Sequence, residues 1–171
     1  MKNFVGYHGA SGVRADKILI QNFTIDPKKT GWLGTGIYFF EGNQELAKYW
    51  AGFRWGTVPT KVLSCEICVP SKEVFDVTDS NGEDAKKFHE TKEEFILLLG
   101  DHKVNAFAKN GEDSDGKIFN MICAREGYVM VRVNTYTYTE MARKYCIPSR
   151  ISNGTELCLR NNSYIKERKI V

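Results

Sequence analysis

Gly31-Trp32-Leu33-Gly34-Thr35-Gly36-Ile37-Tyr38-Phe39-Phe40 is the stretch around which the chain is organised. Three glycines lead into a short apolar run, and Glu45-Leu46-Ala47-Lys48-Tyr49-Trp50 brings a second tyrosine eleven residues after Tyr38. Gly34 and Gly36 open a strand over 37–40 and let a ligand approach the backbone, because no Cβ stands in the way. A tyrosine on that strand and another on the helix after it can hold a flat ring between them.

Before this stretch, residues 4–9 predict a short strand that runs into a glycine turn at Gly9 and carries His8 to its end. Residues 11–22 predict a helix with Val13, Ala15, Ile18 and Leu19 on one face and Ser11 as N-cap. After it, Glu45 to Phe53 predicts a helix burying Leu46, Tyr49, Trp50 and Phe53. Residues 61–69 and 73–77 read as extended, 85–99 as the longest helix with Ala85, Phe88, Phe95, Ile96 and Leu99 on one face, and Lys109 to Gly116 as an exposed acidic loop. A short helix over 118–125, a strand over 128–133 continued by 135–139, and a strand over 155–159 follow. Alternation in this last strand turns Glu156 and Cys158 away from Leu157 and Leu159. Residues 163–171 can add an edge strand, while the charged run 166–169 also reads as a solvated tail.

At 171 residues and 42% hydrophobic content the chain is expected to be one domain, 1–171, with a sizeable core. Its longest apolar run, Phe95 to Leu99, is too short for a bilayer, and no apolar signal core follows Lys2, so a cytoplasmic protein with no membrane partner is expected. Five cysteines are an odd number and are read as free thiols; Cys65 and Cys68 form a lone CxxC without the second pair a zinc site needs, so no metal is expected. The formal charge of +3 permits a nucleic-acid substrate without requiring one.

Three separated pieces, Tyr7-His8-Gly9, Gly36-Ile37-Tyr38 with Tyr49, and Glu156 on a late strand, resemble the His-Tyr-Glu class of ADP-ribosyltransferases. This class includes the diphtheria-toxin and poly(ADP-ribose) polymerase catalytic domains. The resemblance implies an α+β fold built on a split mixed β-sheet or two-layer β-structure, with helices packed around it and NAD in the cleft between the two sheets. It implies NAD as co-substrate and no metal. His8 is then expected to donate a hydrogen bond to a ribose hydroxyl, the Gly9 backbone to pair with the nicotinamide carboxamide, and Tyr38 and Tyr49 to sandwich the nicotinamide ring. Glu156 is expected to accept from the ribose 2′-hydroxyl and to stabilise the cation formed as the glycosidic bond breaks, as carboxylates do in glycoside hydrolysis.

Two departures narrow the resemblance. Leu46 stands where the polymerase branch has a serine, which favours the toxin-type branch, and Gly154 stands where arginine-modifying enzymes have Gln or Glu. The resemblance therefore implies a small bacterial-type mono-ADP-ribosyltransferase, an intracellular toxin or phage-defence effector paired with an antitoxin, whose acceptor is RNA, DNA or protein. NAD hydrolysis and a non-catalytic NAD- or ADP-ribose-binding module are the alternatives. Each residue also has a plainer reading: His8 as a structural histidine, Tyr38 and Tyr49 as core rings, Glu156 as a surface acid, and Trp32 and Trp50 as core rings or linings of an adenine or acceptor pocket. Neither His89 nor His102 has an identifiable partner in the sequence.

Overall fold

Residues Lys2–Ser11 form strand β1, and all ten pair in antiparallel register with strand β3, Thr60–Val69. On its other side β1 meets strand β2, Ile37–Glu41, at only two positions, Gly6 opposite Glu41 and Tyr7 opposite Phe40. Beyond Tyr7 the two strands part. The computed structural model describes residues 1–101 and 111–171. Within them β4 (Val74–Asp76), β5 (Met130–Thr135), β6 (Gly154–Leu159) and β7 (Ile165–Ile170) complete a mixed seven-stranded sheet in the order β4-β5-β6-β2-β1-β3-β7, with only β4 and β5 parallel. The fold is α+β. Its strands form one hydrogen-bonded sheet with a short seam between β1 and β2, rather than two separate sheets enclosing a cleft.

Directly opposed residues in a ladder share a face, so the register assigns every strand residue to a side. Tyr38, Phe40, Glu156, Cys158, Val131 and Val133 lie on one face; Ile37, Phe39, Leu157, Leu159 and Met130 lie on the other. The second face is sealed by helix α1 (Gly12–Gln21) and the core around Phe4, Ala15, Ile18, Phe23 and Leu63. Helices α3 (Glu83–Asp101) and α4 (Gly111–Glu126) cover the first face at its Cys158 end, with Phe75, Phe88, Ile118 and Ile122 between. At its Phe40 end, helix α2 (Gln44–Trp55) covers it through Leu46 and Ala47. Between these two coverings the first face stays open over Glu156.

The approach of α2 is set by small residues. A Cβ built on Gly9 would run into the carbonyl oxygen of Ala47 and lie 2.7 Å from the Ala51 methyl. The helix therefore buries Leu46, Ala47 and Ala51 and leaves Tyr49, Trp50 and Phe53 exposed, reversing the face expected from the aromatic spacing. Close backbone packing won over ring burial.

Other differences have similar local causes. In α1 the buried residues are Gly12, Ala15 and Ile18, Val13 faces solvent, and Ser11 stands at the N-cap without a side-chain bond. Ile96 on α3 is exposed, whereas Thr91 is buried. Residues 111–116, expected as loop, form the first turns of α4; the rest of that expected loop, 109–110, and His102 lie outside the described residues. Strand β5 stops at Thr135, and 136–139 lead into an unforeseen short helix α5 (Glu140–Lys144), capped by Thr139 accepting from the Ala142 amide. The run 166–169 belongs to β7, where Arg168 donates to the carbonyls of Ile18 and Leu19 at the C-terminal end of α1. No helix among the described residues is long and apolar enough to cross a membrane.

The Gly9 contact gives the first testable expectation. In Gly9→Ala the added methyl has backbone in its way, so α2 must lift, and overpacking of this kind costs ~1–3 kcal/mol. Urea denaturation of the variant beside wild type reads that loss; an unchanged midpoint would show that α2 is not fixed by this approach.

Candidate active site

A cavity of about 600 Å³ opens where β1 and β2 separate, within the range of small-molecule sites. His8 from β1, Tyr38 from β2 and Glu156 from β6 all line it, together with Trp32, Trp50 and the segment Thr135 to Tyr138. The three residues that carry the sequence motifs therefore meet in one place. Tyr49 does not line this cavity. It lies in an adjoining trough, and its neighbour Trp50 presents a ring to the cavity instead. The cause is the rotation of α2 imposed by Ala47 and Ala51.

The loop before β2 is closed on itself. Gly31 and Gly34 exchange two backbone hydrogen bonds of 3.1 and 2.9 Å, and Gly34 has a φ of 91°, a conformation that favours glycine. The Tyr38 hydroxyl donates to the Gly34 carbonyl at 2.6 Å and accepts from the Leu33 amide at 3.0 Å. From outside, Arg160 donates to the Leu33 carbonyl at 3.0 Å, and Asn120 accepts from the Thr35 amide at 2.8 Å. Burial, the largest influence, raises the Tyr38 pKa well above its ordinary value, so the hydroxyl stays protonated. Tyr38 thus has no hydroxyl to spare for chemistry; it offers the cavity a ring.

This pinned loop aims Trp32 across the cavity. Its indole Nε1 donates to Glu156 Oε2 at 3.1 Å, and Thr135 adds a side-chain hydrogen bond to the same carboxylate. Burial pushes the Glu156 pKa up, while these two bonds hold it back. A carboxylate has about four lone-pair sites, so two bonds leave acceptor capacity toward the cavity.

His8 is held from the other side of the seam. Its Nδ1 lies 2.7 Å from the Tyr38 carbonyl oxygen, and its ring meets the edges of Phe23 and Phe39. A carbonyl only accepts, so Nδ1 carries the hydrogen. Burial, with Arg14 adding positive charge nearby, lowers the His8 pKa to about 4 despite the bond to Tyr38. The ring is neutral at pH 7, and Nε2, without a partner among the described residues, is an acceptor. In this state Nε2 offers an acceptor, where the sequence led us to expect a donor.

Gly9 follows His8 on the parted section of β1. The Val5 carbonyl accepts from Gly42 on the β2 side, and the two-residue alternation of the ladder turns the Gly9 amide and carbonyl toward that side too, beyond the last paired position. The rim opposite is built by Asn153, whose side chain accepts from the Thr137 amide at 2.8 Å and donates to its carbonyl at 2.7 Å. Sequence reading missed this rim because Tyr136-Thr137-Tyr138 alternates like a strand. The available signal was Thr139-Glu140 ahead of Arg143-Lys144, a capped helix start followed by a basic last turn. The CxxC residues Cys65 and Cys68, three apart on regular β3, point to opposite faces and cannot chelate together.

No protein-family model, curated protein or solved structure matches this chain.

Two outcomes follow from the electrostatics. The folded His8 pKa, about 4 against 6.5 for the free side chain, means that the unfolded chain binds more protons between those values. Stability from this group is therefore complete above pH 6.5 and is lost as pH falls toward 4, by up to ~3 kcal/mol. Urea denaturation across that window should show this component in wild type and lack it in His8→Gln; parallel curves would refute it. Separately, Trp32→Phe removes a bond that favours the charged carboxylate, so the Glu156 pKa should rise further, read by ¹³C NMR titration of the glutamate carboxyls. A pKa that stayed or fell would mean the indole does not bond Glu156 in solution.

Proposed function

We propose that this protein is a mono-ADP-ribosyltransferase that cleaves the nicotinamide–ribose bond of NAD and transfers ADP-ribose to a macromolecular acceptor. The observation that carries the reading is the convergence of His8, Tyr38 and Glu156, from three different strands, on one cavity at a parted seam of the sheet. Its support is the resemblance of the three motifs, in order, to the His-Tyr-Glu ADP-ribosyltransferases, and the split β1–β2 seam is in keeping with that fold.

In this reading NAD enters as co-substrate, with no metal. The nicotinamide ring lies on Tyr38, whose hydroxyl is committed to Gly34 and Leu33. Trp50, on the helix expected to bring the second ring, lines the cavity, and Tyr49 lies in the adjoining trough. The Gly9 amide and carbonyl, turned toward the β2 side beyond the last paired position, match a carboxamide, which has one donor and one acceptor edge. A ribose hydroxyl donates to His8 Nε2, and the 2′-hydroxyl of the nicotinamide ribose donates to Glu156.

The C1′–N bond then breaks heterolytically. Nicotinamide leaves with the bonding pair and becomes neutral, while positive charge develops on the ribose. The Glu156 carboxylate, held in a half-buried site by Trp32 and Thr135, is a fixed negative charge where that cation forms. An acceptor nucleophile closes on C1′ and releases its proton. The resemblance also sets the wider proposal: a cytoplasmic toxin or defence effector kept in check by an antitoxin.

The test is nicotinamide release from labelled NAD, with label followed into protein, RNA, DNA and free ADP-ribose. Glu156→Gln keeps the shape and removes the charge, and losing one electrostatic stabiliser typically costs ~10²–10³ in rate. Release undiminished in this variant would refute the assignment. Free ADP-ribose as sole product would identify an NAD glycohydrolase, and thermal stabilisation by NAD without turnover a binding module.

A further inference from the structure

Beside the cavity runs a second depression of about 850 Å³, between α2 and α5. Tyr138 and Arg143 line both, so whatever occupies the trough lies next to the cavity. Its walls interleave rings and cations: Lys48, Tyr49 and Phe53 from α2, and Arg143 and Lys144 from α5, with Tyr138 at the junction. The Arg143 guanidinium stacks 3.4 Å from the Phe53 ring centroid and 5.3 Å from that of Tyr138. Tyr49, Trp50 and Phe53 are all exposed, the price of the close Gly9–Ala47 packing.

Cations outnumber acids on the trough walls, Lys48, Arg143 and Lys144 against Glu45 and Glu140. From residue 46 to 65 and from 141 to 155 the chain has six cations, Lys48, Arg54, Lys61, Arg143, Lys144 and Arg150, and no Asp or Glu. Of these, Lys61 is neutralised by Asp16 at 2.7 Å. Two acids do line the trough, Glu45 and Glu140, each in the first turn of its helix, where a carboxylate meets the positive helix end. Exposed ring faces set among cations form the surface that takes unpaired bases by stacking and phosphates by charge.

We propose that this trough binds single-stranded nucleic acid and that the strand it holds is the ADP-ribose acceptor. The proposal rests on the transferase reading above and names its substrate class. Bases stack on Tyr49 and on the face of Phe53 that Arg143 leaves open, while Lys48, Arg143 and Lys144 meet phosphates, and the strand passes Tyr138 into reach of the NAD ribose. An amine or hydroxyl of the nucleotide there forms the new bond to C1′ as nicotinamide departs with the C1′–N electron pair, and the proton of that amine or hydroxyl passes to solvent. A duplex is excluded because its bases are already stacked on one another.

Fluorescence anisotropy with labelled oligonucleotides of about a dozen residues tests binding, in separate arms for single-stranded RNA, single-stranded DNA and duplex, with poly-glutamate as an acidic polypeptide. Both single strands should bind more tightly than the duplex. With three phosphate contacts at ~0.7 each, the logarithmic salt slope should be about −2, a loss of roughly twentyfold between 50 and 200 mM salt. Lys48→Glu with Lys144→Glu, both on exposed positions outside the cavity, should weaken binding at least tenfold and leave acceptor-free nicotinamide release unchanged; the Lys48→Ala, Lys144→Ala pair should show a smaller loss in the same direction. Label from NAD should appear in whichever single strand is modified and fall with the same variants. Equal binding of duplex or poly-glutamate, insensitivity to the lysine changes, or label found only in protein would overturn the proposal. Strand binding as expected but no nicotinamide release from wild type would instead overturn the transferase reading and leave a nucleic-acid site without an ADP-ribose reaction.

Discussion

Tyr38 is the constraint from which the rest of the cavity follows, because three of its groups are each committed to a different task. Its hydroxyl closes the Gly31–Gly34 loop, its carbonyl fixes the His8 tautomer, and its ring lines the cavity. The loop in turn positions Trp32, and Trp32 holds Glu156. One residue on a central strand thus couples β1, the loop and β6. None of these links is strong alone, since a neutral hydrogen bond contributes about 0.5–1.5 kcal/mol net, but each leaves only one geometry for the next.

The seam supplies the space. A sheet paired along the whole of β1 and β2 would bring the two strands within about 5 Å of each other and close it. Instead the strands pair at two positions and part, and β1 keeps its stability from ten pairs with β3 on the other side. Parting leaves the Gly9 amide and carbonyl, turned to the β2 side, outside the β1–β2 ladder that would otherwise pair them. The same glycine admits α2 so closely that the helix turns its aromatic residues outward. The cavity therefore comes from the short β1–β2 pairing, and the ring-lined trough beside it from the missing Cβ at residue 9.

Much of this was legible in the sequence wherever the signal was local. The strands carrying His8, Tyr38 and Glu156 follow from short apolar runs and their glycines, and alternation alone turned Glu156 away from Leu157 and Leu159. What sequence could not carry was the rotation of α2. Leu46, Tyr49, Trp50 and Phe53 make a better hydrophobic stripe than Leu46, Ala47 and Ala51, yet the alanines win because the surface they meet is flat backbone at Gly9, a contact between residues some forty positions apart. The tautomer of His8 was likewise hidden, since it depends on a carbonyl thirty residues away. The acidic residues 112–115 look like loop by composition; the helix they open is held instead by Lys92 bonding Asp115 at 2.7 Å and by the close approach of Gly116 to Gly31.

The choice of an indole to hold Glu156 has a consequence for charge. A lysine or arginine in that place would neutralise the carboxylate and spend its field. Trp32 can only donate, through a single N–H, and it brings an apolar body that keeps water from one side of the carboxylate. The charge is thereby oriented without being cancelled, in surroundings where its field is less screened than in water. Burial raises the pKa of Glu156 and so works against ionisation, and the bonds from Trp32 and Thr135 oppose that shift. His8 stays neutral beside it: burial lowers its pKa to about 4, so at pH 7 no imidazolium adds to the Arg143 cation that lines the same cavity.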